Sequence, residues 1–105
     1  MMRSSYTVKA KIWIYTGAAA WHFITLPQKT ADDIRKRYGM FARGWGSLPV
    51  TVKVGKTEWK TSVFPDKKSK SYLLPLTAAV RKAENLTAGT VVNAKIVIRY
   101  QALED

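Results

Sequence analysis

The chain contains no cysteine and only one histidine among its 105 residues. The first absence removes disulfides, thiol nucleophiles and every cysteine-based zinc site, and it fits a reducing compartment. The second leaves His22 without another imidazole to complete a metal centre. A lone histidine between Trp21 and Phe23 in a strand reads as a surface or half-buried neutral ring. Acidic residues are scarce as well: 7 stand against 18 lysines and arginines, for a net charge of +11. No apolar run approaches the roughly 20 residues that span a bilayer. Met1-Met2-Arg3-Ser4-Ser5 runs into an alternating strand with no apolar signal segment. These absences lead to the expectation of a cytoplasmic protein with no membrane partner.

The same scarcity thins the catalytic options. The acids are Asp32, Asp33, Glu58, Asp66, Glu84, Glu104 and Asp105. Asp32 and Asp33 fall at an expected helix start, where carboxylates complement the dipole, and Glu104 and Asp105 are terminal. Ser62 lacks a G-x-S-x-G elbow and has only His22 or a lysine to activate it. "RGWGS" has neither the glycine spacing nor the Lys-Ser/Thr end of a phosphate loop. No catalytic residue, metal ligand or cofactor is assigned.

What is present is apolar and patterned. Hydrophobic residues make up 47% of the chain, with 4 Trp, 5 Tyr and 3 Phe, enough for a packed core. Residues 6–15 alternate, with Tyr6, Val8, Ala10, Ile12 and Ile14 on one side and Thr7, Lys9, Lys11 and Trp13 on the other. Further strands are expected over residues 21–26, 48–54, 57–64, 72–74 and 91–100. Gly55-Lys56 has the form of a tight hairpin turn. Thr30, three residues before Asp33, has the spacing of a capping box, with Ala31, Ile34 and Tyr38 facing inward and Gly39 as the stop. Thr77 is expected to cap a second helix to about Glu84, with Asn85 as a left-handed terminator. The sum is mainly β: about six strands and two short helices in one domain over residues 1–105.

Two stretches repeat one design. "FITLPQKTADDIRKR" and "YLLPLTAAVRK" each run from a short apolar strand through Leu-Pro and Thr to a basic helix. Each is followed by a glycine-containing turn and a valine-rich strand, the first with a Gly-rich insert around residues 41–46. Such a duplication predicts a pseudo-twofold barrel in which each half buries the other's apolar face.

These features resemble the half-barrel of swapped-hairpin regulators and antitoxins of the AbrB and MazE type, with one chain here supplying both halves. More specifically, "ITLP", "RGWGSLPVTVKVGKTEWKTSVFP" and "SYLLPLTAAVRKAENLTAG" are similar to a family of small single-chain double-split β-barrels described only as a domain of unknown function. The resemblance spans about residues 21–98. It implies a double-split β-barrel with an internal pseudo-twofold repeat, and no catalytic residues.

The leading functional expectation is a basic binding module for nucleic acid or another polyanion. Arg35, Lys36 and Arg37 on the first helix, Arg81 and Lys82 on the second, and Lys67, Lys68 and Lys70 in a loop are the candidate phosphate contacts. Trp13, Trp45 and Trp59 would add stacking surfaces if exposed. Lys9, Lys11, Lys53, Lys60 and Lys95 read as ordinary solvation of outer strand faces. The alternative is an anion-binding pocket between the halves, with weak catalysis, lined by Arg43, Trp45, Trp59, Lys60, Ser62 and Tyr72. Against it, Trp59 is more naturally core. A third expectation is a protein-interaction subunit.

Overall fold

A computed structural model of the chain describes residues 5–17 and 20–99. The strand expected over residues 6–15 is broken once, at Ile12. Its N–H donates to Thr90 O at 2.9 Å and its carbonyl accepts from Gly89 N at 2.8 Å. With its side chain 1% exposed, Ile12 holds the core while the chain turns a corner. The result is two strands, β1 (Ser5–Lys11) and β2 (Trp13–Ile14). Beyond that corner Ile14 does not face inward as its position in the alternation predicts; it is 39% exposed.

The remaining elements are β3 (His22–Thr25), α1 (Gln28–Tyr38), β4 (Leu48–Val54), β5 (Thr57–Asp66), β6 (Ser71–Pro75), α2 (Ala78–Ala83) and β7 (Val91–Ile98). Seven strands thus replace the six read from sequence. The sheet order is β1-β7-β4-β5-β6-β3-β2, and every pairing is antiparallel. β5 is the long strand that joins two subsheets: residues 57–63 pair with β4 and 64–66 with β6. The sheet therefore curls into a half-barrel whose concave side is apolar. Val8, Val50, Val52, Val63, Ala94 and Ile96 line it on one side of the bend, and Ile24 and Leu74 on the other. Each such side chain contributes about 1.5–3 kcal/mol on burial, alanine less.

α1 closes the concave side with Ala31, Ile34 and Tyr38, as the periodicity predicts. Its start is different. The helix begins at Gln28 behind Pro27, and no side chain caps it. Leu26 is already fixed against β6: its N–H donates to Tyr72 O at 2.9 Å, and its carbonyl accepts from Ser71 Oγ at 2.7 Å. Proline's preset φ then turns the chain straight into helix, two residues before Thr30 could cap it. Asp32 and Asp33 consequently lie in the second turn, away from the dipole's positive end. They serve instead as partners for Arg35 and Arg37 at 3.2 and 3.0 Å.

Gly39 is not a left-handed stop; its φ is −56° and the chain continues into a 3-10 turn over Gly39–Phe41. The left-handed residues come later, in a second 3-10 turn over Gly44–Gly46, at Trp45 (φ 65°) and Gly46 (φ 74°). A Cβ on Gly46 would lie 2.8 Å from Pro65 Cγ, so glycine is needed there twice over.

α2 follows expectation. Thr77 Oγ1 accepts from Val80 N at 3.4 Å, and Asn85 ends the helix with φ 57°. Two matching bonds tie the helices to strands. Tyr6 Oη donates to Asp33 Oδ2 and Thr57 Oγ1 donates to Glu84 Oε2, both at 2.6 Å. The expectations for residues 1–4, 18–19, Tyr100, Glu104 and Asp105 lie outside the described residues.

Candidate polyanion-binding surface

Strand alternation sends every second residue of β1, β7, β4 and β5 away from the core. On this outer side the pairing gathers Lys9 and Lys11 from β1, Lys95 from β7, Lys53 from β4 and Lys60 from β5, all exposed. Lys95 stands directly opposite Lys53. Glu58, opposite Lys53 on its other side, is the single acid on these four strands' outer face up to Phe64. Like charges directly opposed across a sheet are destabilising, so this face is charged beyond what solvation needs. Sequence alone read these lysines one at a time as solvation; their convergence depends on which strands are neighbours.

The cations singled out from sequence divide in two. The arginines serve the fold. Arg35 reaches Asp32, donates to Lys70 O at 2.9 Å and lies 5.5 Å over the Tyr72 ring. Burial raises the pKa of the Tyr72 phenol despite that guanidinium. Arg37 is held by both oxygens of Asp33, and this bond raises its already high pKa. Arg81 donates to Leu76 O at 3.2 Å and its Nη1 lies 3.4 Å from His22 Nε2. The His22 Nδ1 lies 3.1 Å from Ala20 O, so a neutral ring with its proton on Nδ1 satisfies both contacts. Lys36, Lys67, Lys68, Lys70 and Lys82 are exposed, as are Arg35 and Arg37 despite their partners. Lys29, Lys36 and Arg37 border a groove of about 600 Å³ beside Tyr6, but share it with Asp32 and Asp33, which offset most of its charge.

The basic loop is built rather than loose. Asp66 accepts from Ser69 Oγ at 2.7 Å and Ser69 N at 3.0 Å, and these bonds hold its carboxyl below the usual range. Gln28 Nε2 donates to Lys70 O at 2.9 Å beside Arg35. The loop is thereby fixed to α1.

The six residues of the alternative pocket do not form one wall. Trp59 faces inward and packs against the core, with Nε1 buried and without a hydrogen-bond partner among the described residues. Lys60 is on the opposite side of β5. Trp45 is 93% exposed on its turn, and Tyr72 is buried beneath Arg35. Arg43 anchors the turn through its own backbone, donating to Ser47 O at 2.8 Å. Ser62 pairs with Pro49 on β4.

A different concavity exists on the outer side of β2, β3 and β6. Trp13, Tyr15, Trp21, Phe23 and Leu73 line a cleft of about 550 Å³ together with Asp66 and Lys68. Only Trp13 of these rings is singled out by sequence as a stacking candidate. The signal for the others was the aromatic at every second position on both arms of one hairpin, Trp13 and Tyr15, then Trp21 and Phe23.

Among the described residues no three His, Cys, Asp or Glu side chains gather as a metal site, and no helix is long and apolar enough to cross a membrane. The fold and surface define a small basic β half-barrel. Residues 9–96 match the family described as Domain of unknown function (DUF1905), and the chain belongs to that family. No curated protein matches the chain significantly.

Proposed function

We propose that this protein is a non-enzymatic binding module for a polyanion, with nucleic acid as the leading class, and that phosphates lie across the outer face of β1, β7, β4 and β5. The observation that carries this is the direct opposition of Lys53 and Lys95 within a field of five exposed lysines. A sheet face arranged for stability alone separates such charges. Phosphates between the ammonium groups relieve the repulsion and release counterions. Lys67, Lys68 and Lys70 extend the positive surface.

We also read the half-barrel as a double-split barrel with an internal pseudo-twofold. Several pairings support this. β3 pairs with β6 and β4 with β7, while β1 and β2 make the contacts to β7 and β3 that β5 makes to β4 and β6. Leu26 N donates to Tyr72 O and Leu76 N to His22 O, both at 2.9 Å. The Tyr6–Asp33 and Thr57–Glu84 bonds repeat the same separation of 27 residues.

The test is fluorescence anisotropy with labelled nucleic acids across a salt series. The double variant Lys53→Ala, Lys95→Ala should weaken binding and reduce the slope of log K against log salt by roughly 2, as expected for two lost phosphate contacts. The matched double variant Lys36→Ala, Lys82→Ala should change the slope less. An unchanged slope in the first variant rejects the lysine face as the binding surface.

A further inference from the structure

We infer that the aromatic cleft on β2, β3 and β6 receives unstacked nucleobases, so that the polyanion is single-stranded nucleic acid. This deepens the proposed function and rests on the lysine face being the phosphate surface.

The rings are not there to complete the core. Ile24 and Leu74, the inward neighbours of Phe23 and Leu73, are 0% exposed, so the concave side of these strands is already filled. Trp21 and Tyr15 remain 55% and 58% exposed. An exposed aromatic patch of this kind marks an interaction site.

The cleft is also preorganised. Trp13 Nε1 donates to Thr25 Oγ1 at 2.9 Å, which fixes the indole against its strand. Phe23 sits between Trp13 and Trp21, at centroid distances of 5.2 and 6.1 Å. A ring inserted beside them loses little side-chain freedom in the protein.

Charge identifies the occupant. Lys9 and Lys11 on the outer side of β1 are separated from Trp13 and Tyr15 of the cleft by the corner at Ile12, so the lysine face leads around that corner to the aromatic one. A chain that alternates anionic groups with planar rings can follow that path, its phosphates on the lysines and its rings against Trp13 and Tyr15. Lys68, in the lining itself, offers a further cation. Asp66, held ionised by Ser69, accepts hydrogen bonds and repels phosphate, which suits the exocyclic amino edge of a base. Duplexes keep their base faces stacked inside and present none to this cleft. An apolar peptide or sugar would use the rings and leave the lysines without a partner.

The experiment compares a labelled single-stranded DNA oligonucleotide, its RNA counterpart, the DNA duplex and inorganic polyphosphate at physiological salt. Binding is read by anisotropy and by the indole N–H signals of 15N-labelled protein. Either single strand should bind at least about tenfold more tightly than the duplex and shift the Trp13 and Trp21 indoles. Polyphosphate should bind without moving them. Trp21→Ala should lower single-strand affinity about tenfold and leave polyphosphate binding unchanged, while Trp21→Phe should restore most of the loss. Equal single-strand affinity in Trp21→Ala and the parent overturns the base-binding cleft but leaves the lysine-face reading intact. Absence of binding to any of the four probes overturns both. A concentration-dependent dimer that Trp21→Ala dissociates assigns the cleft to a second copy of the chain and overturns the inference.

Discussion

The outer side of the β1-β7-β4-β5 subsheet and the outer side of β2-β3-β6 belong to one continuous sheet and cover one continuous core, yet they are surfaces of different kinds. The first carries five lysines and a single carboxylate. The second carries four aromatic rings and Leu73, with one carboxylate and one lysine beside them. On the inward side the two regions are alike, lined with Val, Ile and Leu. The difference shows that the fold constrains one side of each strand and leaves the other free. Both outer surfaces depart from a neutral, mixed polar exterior, one by repulsion and the other by exposed rings. Ile12 at the corner joins them.

The largest expected effect separates inward from outward positions on one strand. Ile24→Ala should cost about 2–5 kcal/mol in denaturant unfolding, because it opens a cavity in a closed core. Its outward neighbour Phe23→Ala should cost well under half as much. Equal losses would break the comparison, since the aromatic face would then be structural packing.

The next concerns whether the two faces are independent. Tyr6→Phe removes the hydroxyl that donates to Asp33 and should cost about 1.5 kcal/mol at neutral pH. The indole signals of Trp13 and Trp21 should stay in place. Burial and the Asp33 bond raise the Tyr6 phenol above its ordinary pKa in the folded state. Its contribution is therefore complete below the ordinary phenol range and is lost as pH climbs from about 10 toward the folded value. Thermal unfolding should show a shallower alkaline decline in Tyr6→Phe than in the parent. Movement of the indole signals would mean that α1 couples the faces.

The smallest effect has the opposite sign. Lys95→Thr removes the cation opposite Lys53 and places a β-branched residue in β7. The melting temperature should rise by about 1–3 °C while polyanion affinity falls. A lower melting temperature would mean that the lysine stems stabilise the sheet and that repulsion is not what distinguishes this face.

Much of the fold was legible locally. Thr77 caps α2 because a β-hydroxyl oxygen can reach the N–H three residues on, and that geometry is carried within four residues. Gly55-Lys56 turns β4 into β5 as expected, with Gly55 at φ 59° and packed against Glu84. Thr30 failed as a cap for a tertiary reason: Leu26 is fixed to β6 by Tyr72 and Ser71, which set the helix start upstream. The break at Ile12 was hidden likewise, because its partners Gly89 and Thr90 are distant in sequence. The candidate site was less legible than the core. Arg35, Arg37 and Arg81 read from sequence as phosphate contacts, and their carboxylate and carbonyl partners are visible only in the folded chain.

Local pattern was enough for the inward side of most strand positions, the existence of both helices and the excess of positive charge. A period of two and a capping hydroxyl are local facts. Long-range pairing alone brings Lys53 against Lys95, five lysines onto one face, and Trp13 and Tyr15 into one cleft with Trp21 and Phe23. Those neighbourhoods depend on strand order and on the corner at Ile12. Both are set by hydrogen bonds and packing between distant segments, which no short stretch of the chain encodes.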